Sequence, residues 1–183
     1  AMLDIAVVRL PRISNFTDLN SLECVDGVSV RYVKSAAELK QPDMVVLPGT
    51  KNTMEDLLWM RQCGLEAAIL KLAAQGTPVF GICGGYQMLG SIQGMGLLPT
   101  VTTFSAQKTR TQVSGITGDL SQTVFPELSH TPYTGYEIHM GVTQLLCDSN
   151  GASDSHKSYN TNDPHAACTA FGVLEQRNGT ACQ

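Results

Sequence analysis

Short apolar runs alternate with helical spacings through the first half of the chain. Asp4 to Leu10 (DIAVVRL), Val28 to Val33, Met44 to Leu47 and Pro78 to Ile82 read as strands. Three of the four are nearly continuous in aliphatic residues, the pattern of strands covered on both faces in a parallel sheet. Ser35-Ala-Ala-Glu38 has capping-box spacing and opens a short helix. Thr53 is placed to cap the next helix, with Met54, Leu57 and Leu58 on one face. Leu65, Ile69 and Leu72 mark another, which Gly76 ends before Gly76-Thr-Pro78 turns into the fourth strand. The succession predicts βα units feeding a parallel sheet.

After about Gly90 the pattern changes to Gly, Thr, Ser and Gln with short alternating segments. Val113 to Thr117 and Tyr136 to Leu145 read as antiparallel strands or irregular structure. Residues 148–165 (DSNGASDSHKSYNTNDPH) are almost wholly polar and read as a surface loop. Ala170 to Gln176 reads as a last strand, followed by an Asn178-Gly179 turn signal. No repeat or linker divides residues 1–183, so the pattern predicts a single domain.

Composition narrows the function classes. The chain has 183 residues, 43% hydrophobic and 15% charged, with a net charge of −4. That is enough chain for one domain with a full core, and its composition is that of a soluble globular protein. No apolar run approaches the roughly 18 residues of a membrane helix, so no membrane partner is expected. Mild acidity offers no basic field for a phosphate backbone, so nucleic acid is not an expected partner either. Six cysteines (Cys24, Cys63, Cys83, Cys147, Cys168, Cys182) form no Cys-x-x-Cys pair, and no secretory segment opens the chain. The expected location is the reducing cytoplasm. The four histidines show no zinc-site spacing, so no metal is expected.

The densest chemistry lies in Val79-Phe-Gly-Ile-Cys83-Gly-Gly-Tyr-Gln-Met-Leu-Gly90. A strand runs into a cysteine flanked by Gly81, Gly84 and Gly85, and a helix starts at about Gly84. Such a strand-to-helix elbow can present a nucleophile in a strained, exposed turn. It also aims a helix N-terminus at the sulfur, which favours thiolate. The plainer alternative is a small buried hydrophobe at a strand end. Pro48-Gly49-Thr50 follows the third strand at the same sheet edge. Its N–H groups, with that of Gly84, could make an oxyanion hole, although the tripeptide alone is an ordinary βα turn.

Four ordered motifs carry a family resemblance. Gly81-Ile-Cys83-Gly-Gly-Tyr-Gln87-Met-Leu-Gly90, Leu47-Pro-Gly-Thr-Lys-Asn-Thr53, Gly135-Tyr-Glu-Ile-His-Met-Gly141 and the opening Asp4 to Asp18 resemble the class I glutamine amidotransferase domains of the cobyric acid synthase family. Cobyrinic acid diamide synthases share the elbow, but the Arg9-Leu-Pro-Arg-Ile-Ser-Asn-Phe16 stretch is closer to the cobyric acid type. The resemblance implies an α/β, flavodoxin-like open sheet, mostly parallel, and a glutaminase reaction through a cysteine thioester that supplies ammonia for corrinoid amidation. It implies Cys83 as nucleophile, Gly49 and Gly84 at the oxyanion hole, and Gln87 at the substrate glutamine; no cofactor is implied. Tyr86 and Met88, on the same helix, line the pocket or fill the core, with core the expectation. The implied partners are glutamine and a synthetase domain or subunit. No Gly-x₄-Gly-Lys-Ser/Thr occurs, so the ATP-dependent half is not expected within this chain.

The family's general base sits in a Gly-Thr-Tyr-x-His-Gly motif after the last strand, where this chain reads Gly179-Thr-Ala-Cys-Gln183. Gln183 occupies the histidine's register and cannot take a thiol proton. This reads as a shortened domain whose base is His139 or lies outside the sequence, or as an inactive homologue that keeps the pocket for binding. The plainer reading of His139 is a hydrogen-bonded structural histidine on a half-buried strand. His130, His156 and His165 read as loop residues, and Lys51 and Arg12 as solvated charges.

Overall fold

In a computed structural model, the structure describes residues 2–121, 126–146, 172–177 and 180–181. The polar 148–165 segment, the Asn178-Gly179 turn and Gln183 lie outside them. Contacts cluster into two compact units, residues 1–102 and 103–183.

The first unit is built on four parallel strands: β1 (Leu3–Val8), β2 (Val28–Val33), β3 (Met44–Leu47) and β4 (Val79–Gly81). Their order, β2-β1-β3-β4, places β1 and β3 at the centre, the arrangement of flavodoxin-like sheets. Register runs Ile5 to Val30 on one side of β1 and Ile5 to Met44 on the other. The aliphatic runs are explained by burial on both faces. Ala6, Val8, Val45 and Leu47 join one core, while Ile5, Val7 and Val46 join a second with Leu19. The alternate residues of one strand therefore feed opposite layers.

Short helices α1 (Asn20–Glu23) and α2 (Ala36–Leu39) and the longer α3 (Thr53–Gln62) and α4 (Leu65–Ala74) connect the strands, and α5 (Gly84–Met88) follows β4. The Ser35 hydroxyl caps α2 by accepting from the Glu38 N–H at 3.4 Å, while the Glu38 carboxylate accepts from the Lys34 N–H at 2.9 Å. Arg31 ties β2 to β1 by donating to both Asp4 carboxylate oxygens at 2.8 and 2.9 Å. On α4, Leu65, Ile69 and Leu72 are buried in the larger core, as their spacing predicts. Burying each such side chain contributes about 1.5–3 kcal/mol.

Helix α3 differs from the sequence reading in two ways. Its cap is Asn52, whose side chain accepts from the Glu55 N–H, with Thr53 the first helical residue. Its buried face carries Asp56, Leu57 and Met60, whereas Met54 and Leu58 are exposed. The reason is Asp56: a carboxylate claimed by Arg12 and Thr50 turns that side of the helix inward and rotates Met54 and Leu58 toward solvent.

The second unit holds β5 (Thr100–Thr117, which begins in the first unit), β6 (Pro132–Leu145), β7 (Gly172–Arg177) and β8 (Thr180–Ala181), in the order β6-β5-β7-β8. Strands β5 and β7, and β7 and β8, pair antiparallel. For Val113 to Thr117 the antiparallel expectation holds, and β5 and β6 are longer than their alternating segments. Among the described residues no helix is long and apolar enough to cross a membrane, and no cluster of three or more metal-ligating side chains forms.

Candidate functional site

Strands β3 and β4 are parallel neighbours, so the turns that follow them open at the same sheet edge. The Ile82 N–H donates to the Leu47 carbonyl at 2.9 Å and carries the pairing into the two turns. In the β4–α5 turn, Cys83 has φ 51° and ψ −110°. A positive φ is rare for a residue with a side chain and costs about 1–3 kcal/mol, so the surrounding structure must hold it there. Two bonds do so: Gly85 N–H to the Ile82 carbonyl at 2.9 Å and Gln87 N–H to the Cys83 carbonyl at 3.0 Å.

Close approach between the turns requires glycine. A Cβ on Gly85 would stand 2.0 Å from the Leu47 carbonyl oxygen, an overlap with backbone that no rotamer could relieve. One on Gly49 would stand 2.6 Å from the Ser14 hydroxyl oxygen and 3.8 Å from the Cys83 Cβ. Cys83 is exposed, unlike the buried hydrophobe its strand-end position could have made it. Among the described residues, the backbone N–H groups of Gly49 and Gly84 have no acceptor. The geometry thus sets an exposed thiol at the start of α5, with the Gly84 N–H next to it in the chain and the Gly49 turn close by, both N–H groups without an acceptor among the described residues.

The flanking side chains are positioned by hydrogen bonds. The Thr53 hydroxyl donates to the Gln87 side-chain oxygen at 3.1 Å, which leaves the amide NH₂ of Gln87 as its remaining donor. Met88 is buried as expected, but Tyr86 is 37% exposed, so the core reading does not hold for it. On a helix of five residues next to the sheet edge, only one side can pack inward, and Met88 takes it.

Arg12 is not the solvated charge read from sequence. Its guanidinium donates to Asp56 at 3.0 Å and pairs with Glu55, and its N–H donates to Asp56 at 3.1 Å. Asp56 is fully buried and also accepts from the Thr50 hydroxyl at 2.5 Å. Lys51 is exposed. Ser14 and Asp56 were not singled out from sequence, Thr53 was read only as a helix cap, and Thr50 only for its backbone N–H. An acidic residue in the first turn of a helix normally reads as a dipole partner at the surface, so only the arginine 44 positions upstream could have hinted otherwise.

His139 belongs to the second unit, on β6. Its Nε2 lies 2.6 Å from Glu137 Oε1, and its Nδ1 is buried without a hydrogen-bond partner. Glu137 also accepts from the Thr111 hydroxyl at 3.2 Å. His130 is an exposed turn residue, and His156 and His165 lie outside the described residues.

The chain is similar to known proteins in sequence and in fold. The model of the CobB/CobQ-like glutamine amidotransferase domain family matches residues 4–179. A cobyric acid synthase of Ruminiclostridium cellulolyticum is 52% identical over 155 residues, covering 78% of this chain and 30% of the relative. One from Moorella thermoacetica is 48% identical over 158 residues, covering 79% and 30%. The chain therefore spans about a third of the length of these relatives. Among solved structures, PurLQS from Thermotoga maritima superposes with a TM-score of 0.65 at 22% identity, covering 81% of this chain and 72% of that one. A structure described as a glutamine amidotransferase gives 0.60 at 16% identity, covering 79% and 75%. At these identities the superpositions establish the fold.

Proposed function

The chain belongs to the CobB/CobQ-like glutamine amidotransferase domain family, and we propose that Cys83 is the nucleophile with which it hydrolyses glutamine. The observation that carries this reading is the strained, exposed Cys83, next to Gly84 in the chain and close to the Gly49 turn, with both glycine N–H groups lacking an acceptor among the described residues. The sulfur adds to the side-chain amide carbon, and the carbonyl oxygen becomes an oxyanion that the two N–H groups receive. Collapse of that intermediate breaks the carbon–nitrogen bond, and ammonia leaves after taking a proton. A thioester to Cys83 remains, and water releases it as glutamate. Gln87, and Tyr86 beside it, contact the substrate glutamine. The ammonia would pass to a synthetase domain or subunit that amidates a corrinoid, as the family resemblance implies, in the reducing cytoplasm.

Turnover needs a group to accept the thiol proton. We put forward His139, supported by its own setting. The Glu137 carboxylate engages Nε2, which selects the tautomer with its hydrogen there and leaves the Nδ1 lone pair to act as a base. The alternative residue by register is Gln183, which has no basic nitrogen.

The test is glutamate release from glutamine by the purified chain, with three sets of variants. Cys83→Ala should abolish release above background. His139→Ala should lower it by about 10²–10⁴-fold if this imidazole is the base. The double variant Ala181→Tyr/Gln183→His, which rebuilds the family's motif, should restore release when it is added to His139→Ala. Release unaffected by Cys83→Ala would overturn the proposal.

A further inference from the structure

The segment that follows β1 is fastened to the Gly49 turn from Arg12 to Ser14. Ile13 pairs antiparallel with Thr50, the Ser14 N–H donates to the Gly49 carbonyl at 2.9 Å, and the Lys51 N–H donates to the Arg12 carbonyl at 3.0 Å. Beneath it, the buried Asp56 carboxylate holds Arg12 through both backbone and guanidinium and holds Thr50 through its hydroxyl. Ile13 is itself in the core. A loop tied by this many bonds does not drift, so the Cα–Cβ direction of the residue that ends it is set, and the hydroxyl has only its χ1 wells to choose from.

That residue is Ser14. Its hydroxyl oxygen and the Cys83 Cβ both lie within 4 Å of the single point where a Gly49 side chain would begin. Among the described residues the hydroxyl has no hydrogen-bond partner, although Ser14 is exposed and its backbone is bonded. An unpartnered hydroxyl held against the oxyanion turn is a donor waiting for an acceptor that arrives with the substrate.

We propose that Ser14 is a further substrate-contacting residue whose hydroxyl donates to the oxygen of the scissile amide, a third donor beside the N–H groups of Gly49 and Gly84. The inference rests on the glutaminase reading of Cys83 and adds a side chain to it. In the oxyanion the acceptor is more charged than in the amide, so this bond strengthens as the sulfur adds.

Two probes separate this role from a structural one. A diazoketone analogue of glutamine places a ketone oxygen where the amide oxygen sits. The thiol proton passes to the diazo carbon, the sulfur–carbon bond forms there and dinitrogen leaves. Methyl methanethiosulfonate reacts at the same sulfur, expelling methanesulfinate, with no carbonyl to stabilise. Rates of Cys83 labelling by each are measured by mass spectrometry for the wild type and for Ser14→Ala.

The expected result is that Ser14→Ala slows the diazoketone by about tenfold or more, less than the loss for an enclosed donor, and leaves the thiosulfonate rate within about twofold. Equal rates with the diazoketone in both proteins, or equal slowing of both probes, overturns the proposal while leaving Cys83 as the glutamine nucleophile. Failure of the diazoketone to label wild-type Cys83 faster than Cys24 and Cys63 overturns the glutaminase reading, and the role of Ser14 with it.

Discussion

The two sheets use the alternation of strand side chains in opposite ways. In β1 and β3 both faces are covered, so Ile5 and Val7 feed one core while Ala6 and Val8 feed another. In β6 the two faces differ, and the apolar residues are on the open one. Tyr136, Ile138, Met140 and Val142 are exposed, whereas Glu137, His139 and Gly141 sit on the more covered face. Periodicity thus reports that a strand has two unlike faces without saying which one is inward. Among the described side chains of β6, the more covered positions carry hydrogen-bonding groups, Glu137 and His139, which join Thr111 of β5 in a chain.

Inward carboxylates give a direct test of that contrast. Asp56 is fully buried against Arg12, while the Glu137 side chain remains 21% exposed beside His139. Asp56→Ala takes the acceptor from the Arg12 N–H and guanidinium and from the Thr50 hydroxyl, while Arg12 keeps Glu55 and water, and should cost about 2–4 kcal/mol in urea unfolding. Glu137→Ala removes the acceptor shared by His139 and the Thr111 hydroxyl at a part-exposed position, and should cost about 1–2 kcal/mol. Equal losses would mean that the two inward faces are energetically alike.

The same chemical change made once in each sheet gives the next test. Ile5→Ala removes a core side chain from β1 and should cost about 2–5 kcal/mol. Ile138→Ala trims the open face of β6 and should stay within about 0.5 kcal/mol. A large loss at Ile138 would mean that its face is covered in solution, and sedimentation analysis would then show whether a second copy covers it.

These differences follow what was legible in the sequence. The bounds of β2 and β3 are those read from their aliphatic runs, and the Leu65, Ile69, Leu72 stripe of α4 is buried as its spacing requires. Continuous apolar runs and clean helical stripes are local signals that tertiary contacts reinforce. The inward face of α3 was misread because Asp56 draws its stability from Arg12, 44 residues away, and no local pattern encodes such a partner. Strand β5 was seen only at Val113 to Thr117 because its earlier part, Thr100 to Gln112, is rich in Thr, Ser and Gln, which local propensity reads as loop. At the site, the glycines and Cys83 were conspicuous. Ser14 was not, because a lone serine in a loop carries no signal until the fold lays it against Gly49.

The smallest expected effect concerns the half-open edge of the first sheet. Tyr32 lies on the edge strand β2, is partly buried, and donates from its hydroxyl to the Phe16 carbonyl at 3.1 Å. Burial raises its pKa, with Glu23 and Asp18 adding to the shift through their negative charge. A raised folded-state pKa means that the native state holds the phenol proton more tightly than the unfolded chain. The resulting stabilisation is fully present below the unfolded value of about 10 and is lost as pH rises through the folded one. Urea midpoints of wild type and Tyr32→Phe between pH 8 and 11.5 should therefore converge or cross at the alkaline end, the wild type falling more steeply. The lysines titrate in both proteins, so the difference isolates the phenol. Parallel curves would mean that this edge is as wet as the open face of β6, and that covered strands in the first sheet are confined to its centre.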